Sequence, residues 1–188
     1  MKRTNLFLIA LLAIIMISCT GNKKDTQNKT STKVETEIST SFKTDLDAEK
    51  ITKKLCQEFP ESLIMQHNPS FLRIENEPIE LIPGQLSYCK IKLFYGKKEY
   101  EFYEGQVGAT APKTKDPLWQ YNPERSPSIY FKVDGFGEKA VFIGTTNQLL
   151  ILKEGILYNI APPSRGKTTD TGKENKEIAI EMAKHYKI

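Results

Sequence analysis

Short segments in which apolar and polar residues alternate fill the middle and later parts of this chain, and they constrain its fold more than any other feature. Residues 87–95 place their apolar side chains on one face of an extended strand. Six further segments have strand-like composition: residues 71–74, 100–107, 129–133, 139–143, 148–153 and 156–161. Turn residues at 96–98 and 154–155 join neighbouring segments tightly, so the sequence predicts an antiparallel sheet.

Helical patterns flank this sheet on both sides in the sequence. Apolar residues recur at helical spacing from Ala48 to Phe59, after Thr44 and Asp45, which are suitable N-caps. Pro60 ends that helix and can begin a second one over residues 61–67. A final helix carries one apolar stripe, and a capping box is predicted before it from the spacing of its two residues, Thr171 and Glu174. The predicted fold class is therefore α+β, with an antiparallel sheet flanked by an N-terminal helix pair and a C-terminal helix.

The first eighteen residues have the composition of an export signal. Lys2 and Arg3 precede an unbroken apolar run of twelve residues, which is too short to span a bilayer. The next residues, Met16-Ile17-Ser18-Cys19, resemble the lipobox of bacterial lipoproteins, although Met16 stands where Leu is usual. The resemblance implies cleavage before Cys19, a diacylglycerol on its thiol and fatty acylation of the new amino terminus. An ordinary signal peptide with a chance cysteine is the alternative.

The predicted organisation is a signal peptide over residues 1–18, a lipidated Cys19 with a flexible tether to residue 43, and a globular domain over residues 44–188. The tether is predicted because residues 20–43 hold too few large apolar side chains to offset the entropy of ordering. Thr20, after the lipidated cysteine, favours the outer over the inner membrane of the cell envelope. Without Lys2 and Arg3 the chain has 25 basic and 23 acidic residues, which argues against nucleic acid as a partner.

Several short motifs of the domain recur in a known group of proteins. They are Leu55-Cys56, Tyr88-Cys89, Val-Asp-Gly-Phe-Gly-Glu-Lys-Ala at 133–140, a hairpin at 149–155 and an Ala-containing helix at 178–184. In this order they resemble small bacterial lipoprotein domains of unknown function that share the PsbP-like α/β/α sandwich. That resemblance implies a binding or assembly role and supplies no catalytic residue.

Cys56 and Cys89 remain once Cys19 is assigned to the lipid. An even pair of cysteines in an exported chain favours a disulfide. The alternative is a pair of buried free thiols. A metal site needs more ligands than this pair supplies, and the chain has only two histidines. The sequence therefore predicts a Cys56–Cys89 bridge, no metal site and no cofactor.

No recognised catalytic motif was found. The Gly-x-Gly-x-x-Ala pattern at 135–140 fits a dinucleotide fingerprint in form, but a strand rather than a helix is predicted after it, so a tight turn is favoured. His67 and His185 are expected to be capping or surface residues. Three glutamates near the 96–98 turn, Glu99, Glu101 and Glu104, could supply paired carboxylates for glycoside hydrolysis, but a solvated face is expected.

Aromatic residues are abundant for a domain of this size. Four of them, Tyr100, Phe102, Trp119 and Tyr121, are candidates for a binding face made by the 100–107 strand and the 111–127 loop. Packing into the core is the alternative. Two functions remain open: a tethered, non-catalytic binding or assembly module for an envelope protein or a small ligand, and an envelope enzyme, for example a carbohydrate-active one.

Overall fold

The computed structural model describes residues 44–188, so the predicted signal peptide, lipidated Cys19 and tether lie outside the described residues. The elements in this range are α1 (Asp45–Gln57), α2 (Glu61–His67), β1 (Arg73–Ile82), β2 (Gln85–Phe94), β3 (Phe102–Thr110), β4 (Tyr130–Lys132), β5 (Lys139–Ile143), β6 (Gln148–Lys153), β7 (Ile156–Ala161) and α3 (Asn175–His185). The predicted α+β class, with helices flanking an antiparallel sheet, is confirmed.

The described strands form a single seven-stranded sheet in the order β1-β2-β3-β7-β6-β5-β4, and each neighbouring pair is antiparallel. Two meanders, β1–β3 and β4–β7, meet where β3 pairs with β7. Between them the chain leaves β3 at Thr110 and crosses to the far edge of the sheet, where Tyr130 begins β4. The intervening segment, residues 111–129, is defined here as the crossing loop.

The helices pack against one face of the sheet, defined here as the inner face. α1 contacts β2 and β3, and α3 contacts β6 and β7. A continuous core joins the helices to this face, and its fully buried members include Ile64, Cys89, Ile91, Leu93, Val107, Leu149, Ile151, Ile160, Ala179 and Met182. The described domain therefore has two layers, whereas an α/β/α sandwich would carry helices on both faces. The PsbP-like arrangement is not confirmed.

The opposite, outer face is partly covered by the crossing loop. Leu118 is fully buried there against Ile143 and Leu150. The half-buried Tyr121 and Tyr130 pack around them. Because alternate side chains of a strand point to opposite faces, β5 and β6 are buried on both sides, which explains why their sequences are nearly continuous in apolar residues.

A disulfide joins α1 to β2, as predicted. The Sγ atoms of Cys56 and Cys89 are 2.06 Å apart, and the Cα atoms are 5.4 Å apart. Cys89 is fully buried on the inner face beside Ile91, and Asn76 Nδ2 donates to the carbonyl oxygen of Cys56 at 2.7 Å. The bridge therefore closes the helix–sheet interface at the strand next to the β1 edge.

β1 is much longer than the strand predicted over residues 71–74. It runs from Arg73 to Ile82 and forms a hairpin with β2 through a turn at Gly84, whose φ is +79°. Its sequence carries three glutamates, one asparagine and Pro78, which do not suit a central strand. An edge strand tolerates them because one of its sides needs no partner. β3 likewise starts at Phe102 rather than at residue 100.

The capping box predicted from Thr171 and Glu174 is wrong. Glu174 is itself the N-cap of α3, and its amide donates to Glu177 Oε2 at 3.3 Å. Thr171 instead contacts His67, with 3.0 Å between Oγ1 and Nδ1. Of the helices within residues 44–188, none is long and apolar enough to cross a membrane.

Candidate functional site

The four aromatic residues predicted to form a binding face lie in two separate places. Tyr100 is exposed in the turn between β2 and β3, and Phe102 begins β3 opposite Phe94, with 5.4 Å between ring centroids. The guanidinium of Arg73 lies 3.6 Å from the centroid of the Phe94 ring. This end of β3 is therefore a packed aromatic–cation cluster.

Trp119 and Tyr121 lie on the crossing loop, beyond the other end of β3. Trp119 is 65% exposed, while Tyr121 packs edge-to-face on Tyr130 with 5.6 Å between ring centroids. Tyr121 shares a concavity with Gly108, which lies six residues along β3 from Phe102. Because a strand rises about 3.3 Å per residue, about 20 Å separates Phe102 from that concavity. The four residues do not form one surface.

The concavity that includes Tyr121, defined here as the outer groove, lies on the outer face between the β1–β2 hairpin and the crossing loop. Its volume is about 600 Å³, within the range of small-ligand sites. Leucine and tyrosine side chains supply its apolar surface: Leu81, Leu86, Tyr88, Tyr121, Leu150 and Leu157. Five side-chain amides also line it: Gln85, Gln106, Gln120, Gln148 and Asn159.

Asn159 lines the outer groove and holds an unpaired acceptor beneath its surface. Its Oδ1 is buried and has no hydrogen-bond partner among the described residues. An acceptor left in this state costs about 1–3 kcal/mol of folding free energy. Although α1 packs on the inner face, its first turns also line the groove and supply its charged residues, Asp45 and Glu49. The arrangement suits a ligand that is uncharged and rich in hydrogen-bonding groups.

A second concavity, defined here as the basic cleft, lies where the chain between β7 and α3 passes the turn after β5. Its volume is about 910 Å³. Three cationic side chains, Arg165, Lys167 and Lys176, line it together with the ring of Phe131 and the carboxylate-bearing Glu174. Lys176 Nζ lies 5.6 Å from the centroid of the Phe131 ring.

A short loop in the basic cleft is held by hydrogen bonds to a single carbonyl. The oxygen of Gly166 accepts from Asn147 Nδ2 at 3.1 Å, from Ser164 Oγ at 3.2 Å and from Nδ2 of the buried Asn175. The amide of Asn175 donates to the oxygen of Lys167 at 3.0 Å. These bonds fix the backbone on both sides of Gly166 and hence the positions from which Arg165 and Lys167 extend.

The sequence of this loop contains a partial phosphate-binding motif that is not among the predicted sites. Residues 161–168, Ala-Pro-Pro-Ser-Arg-Gly-Lys-Thr, follow β7 and end like the phosphate-binding P-loop, although Ala161 replaces its first glycine. A P-loop passes directly into a helix, whereas here Thr168 forms a β-bridge with Glu174 and α3 begins only at Asn175. Pro162 and Pro163 also lack amide donors. The fold is not that of a P-loop.

The two histidines make contacts that join separate parts of the domain. His67 Nε2 lies 3.7 Å from Glu181 Oε2, and its Nδ1 faces Thr171, so hydroxyl, imidazole and carboxylate stand in the order of a nucleophile relay. The 3.7 Å between His67 Nε2 and Glu181 Oε2 is longer than a hydrogen bond, so the imidazole and the carboxylate of such a relay are not joined. His185 Nε2 lies 3.0 Å from the carbonyl oxygen of Glu58 and joins α3 to the end of α1.

The three glutamates considered for glycoside hydrolysis also take part in turns and ion pairs. Glu99 contacts Arg73 at 3.4 Å, Glu101 Oε2 accepts from the amide of Lys98 at 3.0 Å, and Glu104 lies 3.9 Å from Lys90. Glu99 and Glu104 are 87% and 51% exposed, which agrees with the expected solvated face.

The glycines of the dinucleotide-like pattern form a turn that leads into β5. Gly135 and Gly137 have φ values of +88° and +49°. A Cβ atom on Gly137 would lie 2.1 Å from the carbonyl oxygen of Leu152, so only glycine fits. The predicted turn is confirmed, and β5 follows where a nucleotide site would need a helix.

Within residues 44–188, no group of three or more His, Cys, Asp or Glu side chains is placed to hold a metal ion. No family model, no curated protein and no solved structure matches the chain.

Proposed function

We propose that this protein is a lipid-anchored binding module of the bacterial cell envelope, and that its outer groove binds an uncharged saccharide. Five side-chain amides gathered in one groove, those of four glutamines and Asn159, carry the second half of this proposal. Side-chain amides donate and accept hydrogen bonds at once, as sugar hydroxyls do. A neutral sugar therefore matches the groove better than an ion does.

Aromatic and aliphatic surface in the groove supports the same ligand class. Tyr88 and Tyr121 lie among leucines in its lining, and such surface can pack against the C–H face of a sugar ring. The crossing loop contributes Gln120 and Tyr121 from one side, and β2 and β3 contribute Tyr88 and Gln106 from the other. A ligand would thus be held between the loop and the sheet.

The anchor part of the proposal depends on residues outside the described range. Lipid on Cys19 would attach the domain to the membrane, with the outer membrane favoured, because two or more acyl chains hold a protein firmly. The segment over residues 20–43 would let the domain reach ligands beyond the headgroups. A roughly 25-residue coil has an r.m.s. span of about 25–30 Å.

Fluorescence of Trp119 offers a direct test of the groove. It is the only tryptophan of the chain, and it is exposed on the loop residue next to Gln120. Purified full-length protein in detergent micelles would be titrated with chito-, malto- and cello-oligosaccharides. We expect at least one series to shift the emission saturably and to be recovered intact after overnight incubation, as a non-catalytic module requires.

Variants separate the groove from other surfaces. Combined replacement of two lining amides, Gln106→Ala with Gln120→Ala, should weaken saccharide binding roughly ten-fold, since each neutral hydrogen bond contributes about 0.5–1.5 kcal/mol. Gln57→Ala, at an exposed amide on the end of α1, is the matched control and should leave binding unchanged. Absence of binding by every series, or equal loss in the control, would refute the proposal. Release of shorter sugars would instead favour an enzyme.

A further inference from the structure

We infer that the basic cleft is a second binding site, for a soluble phosphate ester that carries a ring. Arg165, Lys167 and Lys176 would bind the phosphate, and Phe131 would contact the ring. This inference is independent of the saccharide proposal, because the two sites share no lining residue.

The charges of the cleft are unbalanced in favour of an anion. Three cations and one carboxylate, Glu174, line it. Within the described residues, none of the three cations has a carboxylate oxygen within 4.0 Å of its charged nitrogens. Lys173, which lies close by in sequence, is by contrast paired with Glu181. A domain of nearly balanced charge thus leaves three cationic groups unpaired along one concavity. A phosphate monoester, which carries about 1.5 to 2 negative charges near neutral pH, matches this excess better than a carboxylate does.

The neighbouring groups fit the remaining parts of such a ligand. Thr168 adds a hydroxyl group, which can donate to a phosphate oxygen, and Arg165 can donate two parallel hydrogen bonds. Phe131 is 37% exposed, high for a large apolar side chain, and its ring lines the cleft. Gly144 makes room for that ring, since a Cβ atom there would lie 2.9 Å from Phe131 Cε2.

The loop that carries two of the cations is preorganised. The carbonyl of Gly166 accepts hydrogen bonds from two asparagine side chains, and Asn175 is 99% buried, with 1% of its surface exposed. Fixing this loop before binding reduces the entropy that a ligand must otherwise offset. The amide contacts therefore make the cleft a built feature of the fold rather than a chance gathering of surface lysines.

Phenyl phosphate is the probe, because it carries both a phosphate group and an aromatic ring. Calorimetric titration of the full-length protein in neutral detergent would measure its binding. Inorganic phosphate should bind about 2–10-fold more weakly, since an aromatic contact adds about 0.5–1.5 kcal/mol. Benzoate should also bind more weakly because it carries a single charge. The double variant Lys167→Gln with Lys176→Gln should weaken phenyl phosphate binding about ten-fold or more.

Lys184→Gln, an exposed lysine on the last turn of α3, is the matched control and should not change the affinity. Circular dichroism of each variant would verify its fold. The inference fails if phenyl phosphate does not bind at millimolar concentration, or if the control loses as much affinity as the double variant. Tighter binding of the monomeric lipid dihexanoyl phosphatidic acid than of phenyl phosphate would also overturn it, and would assign the cleft to a lipid headgroup.

Discussion

Asp116 shows how one charged residue holds the crossing loop on the outer face. Its Oδ1 accepts from the amide of Leu118 at 3.0 Å, and its Oδ2 accepts from Lys139 Nζ at 2.8 Å. The hydrogen bond from Lys139 holds the pKa of the Asp116 carboxyl below its usual value of 3.8. Leu118, two residues on, is fully buried, so this ion pair ties the loop to β5 beside its main apolar contact.

We predict that Asp116→Asn lowers the free energy of unfolding at neutral pH and that the difference from the wild type disappears in acid. A carboxyl whose pKa is lowered on folding stabilises the protein above its unfolded pKa, about 3.9, and loses that effect as the pH falls through the folded value. The side chain is 51% exposed, so solvent screening keeps the effect small. Urea unfolding at pH 7 and near pH 3 would measure it.

Asp134→Asn is the matched control for that experiment. Asp134 lies 2.7 Å from Lys132, but both side chains are far more exposed, at 80% and 74%. Exposed pairs of this kind contribute little. An equal effect of both substitutions at pH 7 would show that the contact of Asp116 with the loop has no special role.

Thr52 couples α1 to β3 through a contact in the buried interface. Its Oγ1 accepts from the amide of Ala109 at 2.9 Å and donates to the carbonyl oxygen of the same residue at 3.3 Å. Thr52 is fully buried. The hydroxyl thus satisfies two backbone groups near the end of β3, where the sheet passes into the crossing loop.

Thr52→Val should therefore destabilise the domain although it preserves shape. Loss of the hydroxyl leaves the two backbone groups of Ala109 unpaired, at a cost of about 2–4 kcal/mol. Thr52→Ser keeps both hydrogen bonds and removes one methyl group, so about 1 kcal/mol is expected. Urea denaturation of both variants would compare them, and a valine variant as stable as the serine variant would contradict this account.

The disulfide links α1 to β2 at the same interface. It closes a loop with a sequence separation of 33 residues, for which the chain-entropy relation gives about 3–4 kcal/mol. If strain reduces this to about 2–4 kcal/mol, reduction should lower the melting temperature by about 5–15 °C. Calorimetry with and without reductant would test this, with Cys56→Ala plus Cys89→Ala as a reductant-insensitive control. A melting temperature unchanged by complete reduction would show that the bridge adds no stability.

Local sequence patterns determine some elements of this fold, while others depend on pairing with distant residues. β5, β6 and β7 begin and end at the predicted residues, because their apolar residues are concentrated between clear turns. β1 could not be found in full, since its sequence has no apolar face of its own and its extension depends on pairing with β2. The helix cap at Glu174 was misplaced because Thr171 is taken up by a long-range contact with His67.

At the scale of the whole molecule, the candidate sites were harder to predict than the fold. Tyr121 was identified, but its partners Gln106 and Asn159 come from strands far apart in sequence that meet only through the β3–β7 pairing. The basic cleft joins residues near 131, 145, 165 and 176 across the crossover of the chain. Sites of this kind depend on the topology of the sheet, because no single stretch of sequence contains all of the residues that line either the outer groove or the basic cleft.

The predicted anchor would determine where the whole molecule works. The lipobox-like residues before Cys19 predict that Cys19→Ala abolishes metabolic labelling with palmitate and leaves the chain unprocessed or extractable without detergent. Thr20→Ser is the matched control, because it leaves the thiol of Cys19 intact. Membrane fractionation of cells expressing each variant would show the difference. A Cys19→Ala protein that is fully cleaved and still membrane-bound would mean that something other than this cysteine holds the domain at the membrane.

The predicted tether would separate that anchor from the folded domain. Residues 20–43 are rich in Thr, Ser, Asn and Lys and poor in large apolar side chains, so proteases should cut there first. Thr44, whose hydroxyl and amide both contact Asp47 as the cap of α1, marks the expected start of the resistant fragment. Limited trypsin digestion of the full-length protein, followed by intact-mass measurement, should therefore release a compact fragment that begins near Thr44 and retains both disulfide cysteines. First cuts inside the crossing loop, with residues 20–43 protected, would instead mean that this segment packs against the domain and that the groove lies closer to the membrane than the tether implies.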